Sequence, residues 1–92
     1  MTIQEEKLAY IAGLLDSSKG EITDEGDIHF YHENNLLIKV LQDNFGGKTL
    51  KYPDGISWFK YADEDTVSIL KQLLPFLIRN RLSAEIAIRD LS

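Results

Sequence analysis

The spacing of apolar residues alternates between two periods along the chain. A repeat of three to four residues predicts helices, and strict alternation predicts half-buried strands. The predicted elements are a helix over residues 4–17, strands over 21–23 and 28–32, a helix over 34–45, strands over 48–52 and 56–61, and two helices that follow residues 63 and 83. Pro53, Asp54 and Gly55 are typical of a tight turn, so the strands beside them are expected to form a hairpin. The pattern predicts an α+β domain.

The first predicted helix carries two stripes at helical spacing. The bulky stripe, which is expected to face a core, consists of Leu8, Ile11 and Leu15. The small stripe consists of Ala9, Ala12, Gly13 and Asp16. Because small side chains let another helix backbone approach closely, this helix could form the centre of a fold or of a dimer. Gly20 suits the left-handed conformation that often ends a helix.

Alternation within the strands also assigns side chains to faces. Ile28 and Phe30 are expected to face the core, with His29 and Tyr31 on the opposite side. In the strand over 56–61, one face carries Ser57, Phe59 and Tyr61, and the other carries Trp58 and Lys60.

Composition narrows the class of protein. A length of 92 residues predicts one domain over residues 1–92, with a core thin enough for dimerisation to add to it. The absence of Cys excludes disulfides and thiolate sites. The polar N-terminus and the lack of a long apolar run predict a cytoplasmic protein without membrane contact. A net charge of −5 is unfavourable for binding nucleic acid, because such binders usually carry a basic surface.

The element order coincides with a short motif in the first helix. The segment from Ile11 to Asp16, with the sequence IAGLLD, resembles the first six letters of the LAGLIDADG motif. Further similar segments follow in the same order: the Gly-terminated end of the second helix at 45–47, the aromatic and basic strand at 58–61, the Leu-Pro segment at 73–77 and the helix at 84–88. The chain therefore resembles the LAGLIDADG homing endonuclease family along nearly its whole length.

The resemblance implies a particular fold and assembly. It implies one motif per chain in an αββαββαα order, with a four-stranded antiparallel sheet that sits on DNA. In the family, two copies of the fold pack through the motif helices, so a chain with a single copy is expected to be a homodimer. The residues that the resemblance places at the helix–helix contact are Ala9, Ala12, Gly13 and Asp16.

The sequence departs from the family at the metal-binding position. Family members hold a divalent metal with a carboxylate near the end of the motif helix. Counting forward from Gly13 places Ser18 there, and counting back from Gly20 places Lys19 there. Neither side chain is a carboxylate, and Mg²⁺ prefers hard, charged oxygen ligands. The sequence therefore predicts no catalytic residue, metal or cofactor and favours a protein that is not an enzyme, with Glu21 the one carboxylate that could substitute.

Candidate binding residues fall into two groups. The second hairpin offers a modest surface for nucleic acid, namely Lys48, Lys51, Trp58 and Lys60. The first hairpin is acidic, and a basic partner could bind Glu21, Asp24, Glu25 and Asp27.

Three functions remain open. The first is a catalytically degenerate, homodimeric LAGLIDADG-like binding protein from a mobile element or phage, with weak DNA binding through its sheet. The second is a small acidic inhibitor, of the kind phages use, that occupies a basic nuclease or another defence protein. The third is an active Mg²⁺-dependent homing endonuclease, which requires a metal ligand such as Glu21.

Overall fold

The computed structural model describes residues 4–92 and contains four α-helices and one sheet in that range. The helices are α1 (Glu5–Leu15), α2 (Asn35–Phe45), α3 (Thr66–Leu73) and α4 (Arg81–Leu91). The strands are β1 (Gly20–Ile22), β2 (Ile28–His32), β3 (Lys48–Tyr52) and β4 (Gly55–Lys60). The predicted element order is confirmed, and most boundaries agree to within two residues.

The sheet has the strand order β1-β2-β4-β3, and every neighbouring pair is antiparallel. Helices α1 and α2 pack on one face, which we call the core face. No helix of the described chain covers the opposite face, which we call the outer face. The α+β class with a four-stranded antiparallel sheet is therefore confirmed.

The core lies between the sheet and the helices. Its largest fully buried side chains include Phe30 and Trp58 from the sheet and Ile11, Leu41 and Leu70 from three helices. The indole nitrogen of Trp58 donates a hydrogen bond to the Gly46 carbonyl oxygen at 2.8 Å. A buried Trp thus satisfies its only polar atom at the end of α2.

Two glycines are required by close backbone contacts. Gly47 has φ +89°, and a Cβ there would lie 2.7 Å from both the Phe59 carbonyl oxygen and the Trp58 indole nitrogen. Gly20 is not left-handed, contrary to expectation, since it already belongs to β1. A Cβ on Gly20 would instead collide with the Leu15 carbonyl at the end of α1.

The C-terminal helices follow Pro75. Helix α3 ends at Leu73 and passes into a 3-10 turn over Leu74–Phe76, as the position of Pro75 predicts. Helix α4 begins earlier than expected: Asn80 occupies the N-cap position and Ser83 lies inside the helix. Within residues 4–92, no helix has the length and apolar content needed to span a membrane.

Candidate functional site

The C-terminal end of α1 is closed by residues from the distant segment 78–80. The Asp16 carboxylate accepts hydrogen bonds from the Ile78 backbone N–H at 2.5 Å, from the Asn80 backbone N–H at 2.9 Å and from the Asn80 side-chain amide at 3.0 Å. Both carboxylate oxygens of Asp16 are therefore engaged within the chain.

Asn80 and Arg79 complete this closure. The buried Asn80 amide donates to the Leu15 carbonyl at 2.8 Å, and its oxygen accepts from the Ile22 N–H at 3.1 Å. The Arg79 guanidinium donates to the carbonyls of Ser17, at 2.5 Å, and Gly20, at 3.1 Å. We call these contacts of Asp16, Arg79 and Asn80 the α1 bracket. Sequence reasoning missed it, because Arg79 and Asn80 look like an ordinary polar connection.

The exposed side of α1 carries only part of the predicted small stripe. Ala9 and Gly13 are exposed, and a Cβ on Gly13 would have no neighbour within 4 Å. Ala12, by contrast, is fully buried in the chain's own core with Leu8 and Ile11. Ala12 and Asp16 are therefore corrections to the predicted contact: the first packs internally, and the second belongs to the α1 bracket. The exposed part of the small stripe therefore consists of Ala9 and Gly13.

Strand register arranges the outer face in two main rows. The first row crosses all four strands and consists of Glu21, His29, Phe59 and Lys48. The second row consists of Tyr31, Ser57 and Leu50. His29 Nε2 lies 2.7 Å from Ser57 Oγ and links the two rows. The predicted outward positions of His29 and Tyr31 agree with this register.

Comparisons with known proteins find similarity at the level of three-dimensional structure. No family model matches the sequence, and no curated protein is significantly similar to it. Among solved structures, the homing endonuclease I-CvuI in complex with its target, in the presence of calcium, superposes with a TM-score of 0.76 at 20% identity. I-CvuI with an I-CreI target in the presence of magnesium, a complex in which the DNA is not cleaved, gives 0.74 at 22%.

Both matches cover 92% of this chain and 65% of the I-CvuI chain. The fold is that of the LAGLIDADG homing endonucleases. The chain spans somewhat less than two thirds of the length of these endonuclease chains. At this level of identity, the likeness establishes the fold and leaves the activity to be argued from the site.

The metal that the LAGLIDADG fold implies does not fit the end of α1. The Asp16 oxygens are taken by N–H donors, and Ser17 Oγ donates to the Leu14 carbonyl at 2.6 Å. Two cations, Lys19 and Arg79, accompany this end of the helix, and the carboxylate that follows them in the chain is that of Glu21, exposed on β1. Residues 4–92 hold no group of three His, Cys, Asp or Glu side chains that could bind a metal together. We therefore derive no metal-dependent step for this site.

Three of the four predicted nucleic-acid-binding residues do not lie on the outer face. Trp58 is 0% exposed and belongs to the core. Lys60 is 7% exposed, on the same face as Trp58, and its ammonium lies 2.5 Å from the Asp63 carboxylate. Lys51 pairs with Ile56 in register and borders a groove of about 300 Å³ against α2. Only Lys48 remains on the face that the fold leaves open.

The ion pair with Asp63 offsets the cost of burying the Lys60 ammonium on the core face. The hydrogen bond from Lys60 has the largest effect and lowers the pKa of Asp63; partial burial opposes it less strongly, and the Asp65 backbone N–H lowers the pKa further. Asp63 also accepts from Asp65 N–H at 2.9 Å at the start of α3. The carboxylate thus neutralises the buried ammonium and holds the chain that leads into α3.

Most of the acidic residues that were predicted to form a binding surface on the first hairpin are exposed. Glu21, Asp24 and Glu25 are exposed, and no ion pair involves them among residues 4–92. Asp27 is different, because its carboxylate accepts a hydrogen bond from the Ala62 N–H at 2.9 Å. Asp27 therefore joins the hairpin to the end of β4, and the acidic surface is formed by Glu21, Asp24 and Glu25.

Proposed function

We propose that this chain is a homodimeric binding protein built on the homing endonuclease fold and that it does not cleave DNA. The observation that carries the proposal is the contrast within α1. Its exposed side presents Ala9 and Gly13 with open space around them, whereas its end is closed by the α1 bracket. This contrast supports a helix that packs against a second copy and whose end, with Ser18 or Lys19 at the metal position and the Asp16 carboxylate held by N–H groups of its own chain, does not bind a metal.

The exposed stripe on α1 supports the proposed dimer. Two helices approach closely where small residues recur at a spacing of three or four, because their backbones can come into contact. Ala9 and Gly13 are four residues apart on the side of α1 that faces away from the core. A second copy that packs its own α1 there buries both stripes and adds to the thin core of a 92-residue chain.

A substitution at Gly13 tests the dimer. Since a side chain at this position meets nothing within its own chain, Gly13→Arg is expected to leave the fold intact and to convert a dimer into a monomer. Size-exclusion chromatography with light scattering measures the mass, and circular dichroism checks the fold. Gln42→Arg, on the exposed side of α2, is the matched control and is expected to stay dimeric. A wild-type chain that is monomeric at all concentrations contradicts the proposal.

The absence of cleavage is tested with supercoiled plasmid and either Mg²⁺ or Mn²⁺. We expect no nicking beyond the buffer control, because no carboxylate at the end of α1 is free to bind a metal. Glu21, exposed on β1, is the remaining candidate ligand. Metal-dependent cleavage that disappears in Glu21→Gln overturns the proposal and restores the endonuclease.

Weak DNA binding through the outer face is part of the proposal. The solved relatives are bound to target DNA, but the corresponding face here offers a single lysine, Lys48. Few phosphate contacts mean low affinity and early loss with salt. In gel-shift titrations with duplex DNA, we expect binding only at about 50 mM salt and none at about 200 mM. Lys48→Ala is expected to abolish it, and Lys51→Ala serves as the control.

A second candidate is an acidic protein that occupies a basic partner. The specific observation in its favour is that Glu21, Asp24 and Glu25 are exposed on one hairpin without an ion-pair partner among residues 4–92. Such carboxylates attract a cationic surface and can compete with phosphates for it. The double variant Asp24→Asn, Glu25→Gln is expected to lose inhibition of a cationic nuclease that the wild type inhibits.

A further inference from the structure

We propose that the outer face of the sheet is the docking surface for a protein partner that presents arginines around an apolar centre. This proposal rests on the role as a binding protein and names the class of partner that the sheet accepts. It is carried by two features that lie together on the outer face, an aromatic patch and an acidic border.

The aromatic patch lies on β3 and β4. Its exposed members are Leu50 (51% exposed), Tyr52 (50%) and Tyr61 (66%), and the half-buried Phe59 lies between them. Leu50 pairs with Ser57 and Tyr52 pairs with Gly55 in the strand register. Because Leu50 and Tyr52 are two residues apart on β3, their side chains lie next to each other on the outer face. The rings of Phe59 and Tyr61 meet edge to face, with centroids 5.4 Å apart. Exposed apolar clusters of this kind mark interaction surfaces.

The border of the patch is acidic on two sides. Glu21 lies in the first row of the outer face, and Asp24 and Glu25 occupy the turn beyond it. At the other end, Asp54 and Glu33 face Tyr31: partial burial and a hydrogen bond to Asp54, together with these negative charges, raise the pKa of the Tyr31 phenol. Lys48 is the one cation that register places in the described rows of this face.

Exposed aromatic faces bind single-stranded nucleic acid or protein, and charge complementarity decides between the two for this face. Single-stranded nucleic acid also stacks on exposed aromatic rings, but it requires cations that follow its phosphates. The border described here repels phosphates and attracts guanidinium groups. An arginine can lie flat on Tyr52 or Tyr61 while it pairs with a border carboxylate, and Tyr and Arg are both enriched at the centres of protein interfaces.

The test is an NMR titration of the full ¹⁵N-labelled chain. The probes are a short synthetic peptide that alternates arginine and leucine, a peptide with glutamate in place of arginine, and an oligothymidine of similar length. The titrations are run at about 200 mM salt, where we expect the weak binding of DNA through Lys48 to be lost. Under this condition we expect the arginine peptide to shift the amides of β3 and β4 and the other two probes to leave them unchanged. An oligothymidine that shifts the outer face more strongly than the arginine peptide overturns the proposal.

Matched variants separate docking from general attraction to an acidic protein. Leu50→Ser removes an apolar contact from the patch, and Leu36→Ser removes a leucine from α2 that is also exposed, at 70% against 51% for Leu50. Glu21→Gln and Glu64→Gln form the same comparison for charge. We expect the outer-face variants to weaken the arginine peptide about five- to tenfold and the controls to change it less than twofold. Equal effects within each pair contradict a specific site.

The molecular mass of the same samples distinguishes the two proposals. A dimer that does not bind the arginine peptide on its outer face overturns only the docking surface. A monomeric chain overturns the proposed homodimer and leaves the docking result to be judged on the shifted amides alone.

Discussion

Trp58 and Phe59 are neighbours in β4, yet they meet opposite surroundings. Trp58 is enclosed between the sheet and α2, and its indole N–H is used by the Gly46 carbonyl. Phe59 lies half-buried on the outer face, where its ring and that of Tyr61 are in a T-shaped arrangement. Both faces of the sheet are therefore aromatic, but among the described residues only the core face is covered by helices. Aromatic content alone does not distinguish a core face from an open face, and only packing separates them.

The largest expected change in the free energy of unfolding comes from removing a buried aromatic side chain from the core face. Trp58→Ala removes a fully buried side chain and is expected to lower the free energy of unfolding by about 3–5 kcal/mol. Phe59→Ala, one residue later, is expected to cost about 1–2 kcal/mol, because its ring is only half-buried and no helix of the described chain covers it. Urea denaturation followed by circular dichroism measures both.

Trp58→Phe guards against the case in which the alanine variant does not fold. It keeps an aromatic ring but loses the hydrogen bond to Gly46, and we expect a loss of about 1–2 kcal/mol. Equal destabilisation at positions 58 and 59 would mean that the two faces are packed alike and would remove the basis of the comparison.

The next effect concerns Lys60, a lysine that is largely buried on the core face. Asp63→Asn removes the carboxylate that neutralises Lys60 and is expected to cost about 1–2 kcal/mol in urea denaturation. Glu85→Gln breaks the exposed pair with Arg81 and is the control, with an expected change below about 0.5 kcal/mol. Equal effects of the two substitutions would show that Lys60 reaches solvent.

The same pair predicts a dependence of stability on pH. The folded-state pKa of Asp63 lies below its value in the unfolded chain. Its contribution is therefore fully present above the unfolded pKa of about 4 and is lost as the pH falls through the folded pKa. Urea midpoints at neutral pH and at several values below 4 are expected to converge for the wild type and Asp63→Asn as the solution becomes acidic. A difference that stays constant down to the lowest pH would contradict an ionic contribution.

The smallest effect is expected on the open face. Tyr52→Ser is expected to change the free energy of unfolding by about 0.5 kcal/mol or less, since half of the side chain is exposed. A thermal scan suffices for this measurement. A loss well above about 1 kcal/mol would mean that the patch supports the fold itself rather than a partner.

The elements were predictable from sequence because they depend on local patterns. Alternation correctly separated Trp58 and Lys60 from Ser57 and Phe59, but it could not say which set meets water. Lys60 looked like a surface residue, and its burial depends on Asp63, which belongs to the next element. Ala12 shows the opposite case. It was predicted on the small stripe, but it lies four residues after Leu8 and three before Leu15, and the structure buries it with the bulky stripe.

The candidate site was less predictable because it is assembled over long distances. The missing carboxylate at Ser18 or Lys19 can be recognised in the sequence, but the contacts that close the end of α1 cannot. They join Asp16 to Ile78 and Asn80, and no local pattern identifies such partners. Sequence thus indicated that a metal ligand is absent, and the structure identified the hydrogen bonds that occupy the Asp16 carboxylate.

The α1 bracket also sets an order of events while the chain is being synthesised. Helix α1 is synthesised before the other described elements, but Asp16 receives its partners from residues 62 to 64 positions further along the chain. The whole β3–β4 hairpin lies within that interval and can pair locally, at a much lower cost in chain entropy. The nascent chain is therefore expected to complete its aromatic hairpin before the end of α1 is fixed, so a chain released before residue 80 would retain the hairpin without a closed first helix.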